Sequence, residues 1–199
     1  MFFRDMKRQE KTMIKEKKHE ETEVLDYSLV NRDKNLFATE KLPLITVYDD
    51  NLFVRNDYDV LSLGQRNYLI RFFAQLGFKQ KSGRLLQNEQ VNIHLPRPNA
   101  NLAISSFQPE FLEFRQQNYY CVTPTMLAET MFYYGLQHPE FELMAGLKAL
   151  IGKCPFNIEW LRDISYRSDI EQSTKATFAE LTDFQSQLIK EKFKMKKAL

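Results

Sequence analysis

Cysteine, glycine, histidine and tryptophan are all scarce in this sequence, and the shortages narrow the class of protein. The 199 residues include 2 Cys, 6 Gly, 3 His and 1 Trp. Cys121 and Cys154 alone cannot form the dense disulfide framework of a small secreted domain, so a reducing compartment is expected. No run of roughly 18 uncharged apolar residues occurs, as a membrane-spanning helix would require. We therefore expect a cytoplasmic protein without direct membrane insertion.

Recognisable catalytic and metal-binding motifs are also missing. No histidine lies at ligand spacing from another His or Cys, whereas zinc needs three or four converging donors. The glycines form no phosphate-binding loop, and no Gly-x-Ser-x-Gly element presents a nucleophile. Four acids bracket a predicted β-hairpin and could offer oxygen ligands to a divalent cation, although Asp is favoured in turns for conformational reasons. These four are Asp49, Asp50, Asp57 and Asp59. We predict no catalytic residue, no metal site and no cofactor.

The remaining composition is that of a folded protein. Apolar residues make up 43% of the chain and charged residues 27%, with 16 Phe and 9 Tyr. Such a chain buries a substantial core, and its length favours one domain with appendages. The net charge of +2 is too small to indicate a nucleic-acid partner without a local concentration of positive charge.

The N-terminal residues 1–35 are predicted to form a charged extension, either helical or disordered. Lysine and arginine dominate its first part, and glutamates follow. Met6 and Met13, seven residues apart, would give a helix here one thin apolar stripe. Such a stripe cannot hold a helix without another surface. We therefore assign Met6 and Met13 to partner binding, because extensions that order on binding can wrap a partner.

Residues 36–170 are predicted to form an α+β domain, in which a small antiparallel sheet from the first half is packed by helices from the second. The segments 44–48 and 52–54 are typical of a β-hairpin, and 91–95 alternates as a half-buried strand does. Ser62 is placed to cap a helix that ends at Gly77. From Thr123 onward the pattern turns helical, with a proline in the first turn.

Residues 171–199 are predicted to form an amphipathic helix with a basic end. The spacing of Thr177 and Glu180 fits a capping box, so the helix is expected to begin near Thr177. Its apolar positions must be covered by another surface, which is either the chain's own core or a partner, because periodicity does not say which. The positions assigned to partner binding are Phe178, Leu181, Phe184 and Leu188.

Lysines concentrate at the end of this helix and supply an alternative, nucleic-acid contact. They are Lys192, Lys194, Lys196 and Lys197. Cations at a helix C-terminus also interact favourably with the helix dipole, and such charge runs are usually solvated surface.

The function predicted from these features is that of a non-catalytic, protein-binding adaptor or structural subunit of a larger complex. In general make-up the chain is similar to small soluble adaptor subunits of bacterial secretion coupling complexes, which implies a chaperone-like role in protein transport. Two alternatives stay open. One is a nucleic-acid-associated protein that uses its basic termini, and the other is an enzyme whose site assembles in space from groups such as His94, Asp57 and Tyr120.

Overall fold

The computed structural model describes residues 25–48, 60–96, 105–115 and 117–192. The predicted roles of several residues therefore lie outside the described part. These residues are Met6, Met13, Asp49, Asp50, Asp57, Asp59, Lys194, Lys196 and Lys197.

Within the described residues, strands dominate the first half and helices the second. The strands are β1 (Leu36–Ala38), β2 (Leu44–Val47), β3 (Lys79–Ser82), β4 (Leu85–Gln87), β5 (Asn92–His94) and β6 (Asn118–Val122). The helices are α1 (Tyr27–Arg32), α2 (Leu63–Gln75), α3 (Pro124–Gln137), α4 (Leu143–Lys153), α5 (Ile158–Ser165) and α6 (Glu171–Lys192), with a 3-10 turn at Pro109–Leu112.

The six strands form one mixed sheet in the order β1-β2-β6-β5-β4-β3. The α+β class is confirmed, with a long C-terminal helix. The sheet is not wholly antiparallel as expected, because β6 enters its centre and runs parallel to both β2 and β5. Strands joined by a short turn, such as β3 and β4, do pair antiparallel. The parallel pairs have long connections between their strands, even for the consecutive strands β5 and β6, and the spacing of strand patterns does not reveal such pairs.

The sheet separates two hydrophobic cores, because successive side chains of a strand point to opposite faces. Leu44 and Val122 belong to the first core, which lies under α3 to α6. Ile45 and Cys121, their neighbours on the same strands, belong to the second core with residues of α2. Helices α3 to α6 complete the first core, and helices α1 and α2 complete the second.

Local capping signals begin and end α2 as predicted. The Ser62 hydroxyl accepts from the backbone N–H of Gln65, and the Gln65 side chain accepts from the backbone N–H of Ser62, which closes a capping box. Gly77 follows the helix at a φ of 86°, a conformation that other residues adopt only with strain. Thr123 likewise caps α3, and Pro124 occupies its first turn.

Helix α6 begins at Glu171, six residues before the predicted start at Thr177. The predicted capping box is therefore wrong. The Thr177 hydroxyl donates instead to the Ser173 carbonyl oxygen at 3.0 Å, one turn earlier. A threonine that bonds back along the helix is compatible with a helix interior, so its type alone does not mark a terminus.

Candidate functional site

A concave cleft lies at the carboxyl ends of the parallel strands β5 and β6. Its volume is about 850 Å³. It is lined by residues that leave β5, by the β6–α3 junction and by the turn between β3 and β4. In sheets with parallel strands this edge commonly binds ligands, because the chain departs from neighbouring strands in different directions and leaves a gap. The volume is in the range of cavities that hold a small molecule or a few peptide side chains.

The floor of the cleft contains two stacked rings, those of His94 and Tyr120. They are paired residues of β5 and β6, and their ring centroids are 5.1 Å apart with the planes inclined by 24°. His94 Nε2 lies 2.9 Å from the Asn118 Oδ1 atom. Because an amide oxygen only accepts hydrogen bonds, Nε2 is assigned as the protonated ring nitrogen. Burial raises the pKa of the Tyr120 hydroxyl, and the nearby Glu110 carboxylate raises it further, so this phenol remains neutral.

An apolar wall borders the cleft. It is formed by the half-buried Phe107 and by Phe111 and Met126, which are 5% and 4% exposed and belong to the first core. Phe107 stacks on Tyr133 of α3 with ring centroids 4.2 Å apart. Its backbone N–H donates to the hydroxyl of Ser105 at 3.1 Å. The wall is therefore attached to α3 by ring packing and held in place by local hydrogen bonds.

A buried carboxylate secures the same segment to α3. Glu129 is 0% exposed, and its Oε1 accepts a hydrogen bond from the Ser105 hydroxyl at 2.6 Å. A buried carboxyl group costs free energy unless it has a hydrogen-bond partner, and the Ser105 hydroxyl is such a partner. This hydrogen bond therefore holds the segment that begins at Ser105, and that leads into the apolar wall, against α3.

Two arginines form a cationic rim. Arg66 of α2 donates from Nη1 to the Pro96 carbonyl oxygen and from Nη2 to the Gly83 carbonyl oxygen, each at 2.8 Å. These bonds fix the guanidinium group between two loops at the mouth of the cleft. Arg84, in the β3–β4 turn, is exposed and lines the same mouth. Among the described lining residues there is no Asp or Glu.

Positive charge is concentrated well beyond the cleft itself. The described segment 60–96 contains five Lys or Arg residues and one acid, Glu89. None of these cations forms an ion pair within the described ranges, where all ion pairs involve residues 113–180. The five are Arg66, Arg71, Lys79, Lys81 and Arg84. Among the described residues, these five cations therefore have no ion pair that neutralises them.

The cysteines are poorly suited to nucleophilic chemistry. Cys121 borders the cleft, but its side chain is buried in the second core, and burial strongly raises the pKa of its thiol. Burial also raises the pKa of Cys154 to about 12. Both thiols stay protonated at neutral pH, and only the thiolate is an effective nucleophile.

The apolar stripe of α6 is covered by the chain's own core. Leu181 is 1% exposed and belongs to the first core, and Phe178, Phe184 and Leu188 are partly buried against it. The remaining ring surfaces carry cations, since the Arg162 guanidinium lies 5.0 Å from the Phe178 ring centroid and Lys148 Nζ lies 5.5 Å from that of Phe184. The sequence pattern left open whether the chain's own core or a partner covers this stripe, and the structure shows that the chain's own core does.

Of the four lysines predicted to contact nucleic acid, the described part contains only Lys192, which is exposed at the end of α6.

The structure does bring together two of the three residues named for an assembled site, His94 and Tyr120, while Asp57 lies outside the described residues. Sequence reasoning missed Arg66, Arg84 and the apolar wall. A charge count over residues 60–96 alone would have found the basic segment, but nothing local to each residue places them around one cleft.

The fold and this site define an α+β protein with a six-stranded mixed sheet and a cationic, partly apolar cleft at the carboxyl ends of its parallel strands β5 and β6. No family model, curated protein or solved structure matches the chain. None of the helices in the described ranges is long and apolar enough to cross a membrane. The described residues also contain no group of three or more His, Cys, Asp or Glu side chains arranged to hold a metal ion.

Proposed function

We propose that this protein is a cytoplasmic, non-catalytic adaptor or structural subunit, and that it binds a segment of a partner protein in the cleft. The observation that carries the proposal is the cleft itself, which combines an apolar wall with cations that have no described acidic partner. We therefore assign the contact surface to the cleft at the carboxyl ends of β5 and β6 and not to α6, whose stripe already packs against the first core.

The cleft has the make-up of a peptide-binding surface. The half-buried rings of Phe107 and Tyr120 offer aromatic area, and such area supplies most of the energy of protein contacts at their centre. Ser82 and Arg84 at the rim are exposed and polar, as the surroundings of such a centre usually are. A wall held by internal hydrogen bonds loses little freedom when a partner binds, which favours affinity.

The polar groups of the cleft support binding more than catalysis. His94 Nε2 is engaged with Asn118, the Ser105 hydroxyl is engaged with Glu129, and the thiol of Cys121 is held protonated. A nucleophile and a base within hydrogen-bond reach of each other are the usual requirement of covalent catalysis, and these three groups are directed to other contacts. The free, buried state of both cysteines supports a reducing compartment.

A nucleic-acid partner is the second candidate, and one observation favours it. Arg71, Lys79 and Lys81 lie outside the cleft lining on α2 and β3, and they extend the positive surface. Phosphate contacts of this kind make binding fall steeply with salt. Retention on DNA or RNA that is lost between about 50 and 200 mM salt, and lost in a Lys79→Glu/Lys81→Glu variant, would favour this candidate.

The adaptor proposal is tested by affinity purification of the tagged chain from its native cell, followed by mass spectrometry. Ser82→Trp places a large ring at the mouth of the cleft from an exposed position. Gln80→Trp is the matched control, because Gln80 is exposed on the same strand but pairs with Leu86, whose side chain enters the second core. Thermal denaturation verifies that both variants fold.

We expect specific partner proteins to be retained by the wild type and by Gln80→Trp and to be lost from Ser82→Trp. The identities of these partners decide whether the chaperone-like role in protein transport holds. Equal retention by all three proteins would remove the cleft from the proposal. A wild-type monomer that retains no protein would refute the adaptor function altogether.

A further inference from the structure

The geometry points to an acidic peptide as the occupant of the cleft: a partner segment whose carboxylates bind Arg66 and Arg84 while an apolar side chain contacts the half-buried rings of Phe107 and Tyr120. This inference rests on the proposed function and specifies the chemistry of the partner. It follows from three properties of the described residues.

The first property is the fixed position of Arg66. Its guanidinium is fastened by the carbonyl oxygens of Pro96 and Gly83, so the group is oriented before any ligand arrives. A guanidinium has five N–H donors, and these two bonds use two of them. A planar group held in this way suits a carboxylate, which can accept two parallel hydrogen bonds. Pre-orientation reduces the entropy lost on binding.

The second property is the charge balance around the mouth. Arg84 is exposed beside Arg66, and neither forms an ion pair within the described ranges. The described lining contributes no carboxylate, and the segment 60–96 holds five cations against one acid. Cations without an ion pair attract a partner of opposite charge and raise its rate of association.

The third property distinguishes a peptide from other anions. An inorganic anion would leave the partly exposed rings of Phe107 and Tyr120 in water, whereas a peptide can bury an apolar side chain against them. Single-stranded nucleic acid binds by stacking bases on exposed aromatic faces. Here the rings of His94 and Tyr120 stack on each other and the ring of Phe107 stacks on Tyr133, so one face of each ring is already covered and less aromatic surface is left for stacked bases.

The test is a selection of peptides from a random heptapeptide phage library on four immobilised, full-length proteins. They are the wild type, Arg84→Glu, the cleft-blocked Ser82→Trp and the matched charge reversal Lys81→Glu. Lys81 is exposed on β3 and does not line the cleft. We expect the wild type and Lys81→Glu to enrich peptides that combine Asp or Glu with Leu, Phe or Met. Arg84→Glu should lose the acidic preference, and Ser82→Trp should enrich no such peptide.

Affinity is then measured by fluorescence polarisation with the best selected peptide and its analogue in which Gln and Asn replace Glu and Asp. Binding to the wild type should weaken about tenfold for the neutral analogue. Binding of the acidic peptide should weaken by about the same factor on Arg84→Glu. A tenfold change corresponds to about 1.4 kcal/mol, which is the size expected for one lost charge-assisted contact. Lys81→Glu should change the affinity much less, and the same measurement with oligo-dT and with inorganic phosphate should show weaker binding than the peptide.

Several results would overturn the inference. Selected peptides without an acidic excess, but dependent on Ser82, would refute the charge preference while leaving the cleft as a protein-binding surface. Tighter binding of oligo-dT than of any peptide would assign the cations to nucleic acid. Failure to enrich any peptide, together with unchanged partner retention by Ser82→Trp, would refute the proposed function as well.

Discussion

Replacing Lys153 by Met tests the contact that joins the end of α4 to the α1–β1 loop. The Lys153 ammonium group donates to the carbonyl oxygens of Asn31, Asp33 and Leu36, the latter two at 2.6 and 3.2 Å. The Asn31 carbonyl lies in the last turn of α1, where the helix itself supplies no donor. A single cation therefore satisfies three backbone acceptors that are about 120 residues distant in the chain.

The expected cost follows from the hydrogen bonds that are lost. A bond from a charged donor contributes about 1.5–3 kcal/mol, but the acceptors here are only part-buried and regain water when the donor is removed. We expect Lys153→Met to lower the free energy of unfolding by about 2–4 kcal/mol. With a urea dependence of about 2 kcal/mol/M, the midpoint should fall by about 1–2 M.

Lys148→Met is the matched control, since Lys148 lies on the same helix. Its Nζ forms an ion pair with Glu180 at 2.6 Å, but the two side chains are 37% and 59% exposed. Surface pairs of this kind contribute about 1 kcal/mol or less. Urea titrations followed by circular dichroism compare the two variants. If they lower the midpoint equally, Lys153 does not act as the link described here.

Three further outcomes are expected. Ser62→Ala removes the capping hydroxyl of α2 and should lower the free energy of unfolding by about 1 kcal/mol in a urea titration. Thr177→Ala, in the interior of α6, should cost clearly less, and equal losses would contradict the assigned starts of the two helices. Cys121 and Cys154 should resist a thiol reagent at pH 8 in the native protein and react once urea unfolds it, because burial raises both pKa values; rapid native labelling would count against this burial. The Ser28 hydroxyl and backbone N–H lower the pKa of the Asp26 carboxyl group below its ordinary 3.8. The stabilisation that Asp26 gives is therefore present above that pH and is lost as the pH falls through the lower pKa of the folded state. Asp26→Asn should reduce this loss of stability in titrations at pH 2–5, and an unchanged pH profile would refute the linkage.

Local patterns predicted several elements well because their causes are local. The capping box at Ser62, the left-handed Gly77 and the Thr123–Pro124 helix start all depend on residues within one turn. The start of α6 was misplaced because Thr177 satisfies its hydroxyl within the helix, an option that the sequence spacing does not exclude. Signals that several structures can satisfy are therefore weaker than those that only one backbone conformation permits.

The candidate site was only partly predictable. His94 and Tyr120 were named for an assembled site, and they are paired neighbours in the sheet although 26 positions separate them. Arg66 and Arg84 carry no local signal, since a lone arginine on a helix or in a turn is usually solvated surface. Their shared position depends on how α2 and the β3–β4 turn meet at the cleft.

The amino-acid order by itself determined the α+β class, the helix termini set by capping residues, and the existence of an apolar stripe on the last helix. These follow from short-range sterics, hydrogen bonding and periodicity, which act between near neighbours in the chain. Only the tertiary structure decided that β6 separates β2 from β5, that the stripe of α6 faces the first core, and that two arginines meet an apolar wall at one cleft. Such contacts join segments that are far apart in sequence, and their energy depends on the packing of the whole sheet and helical layer.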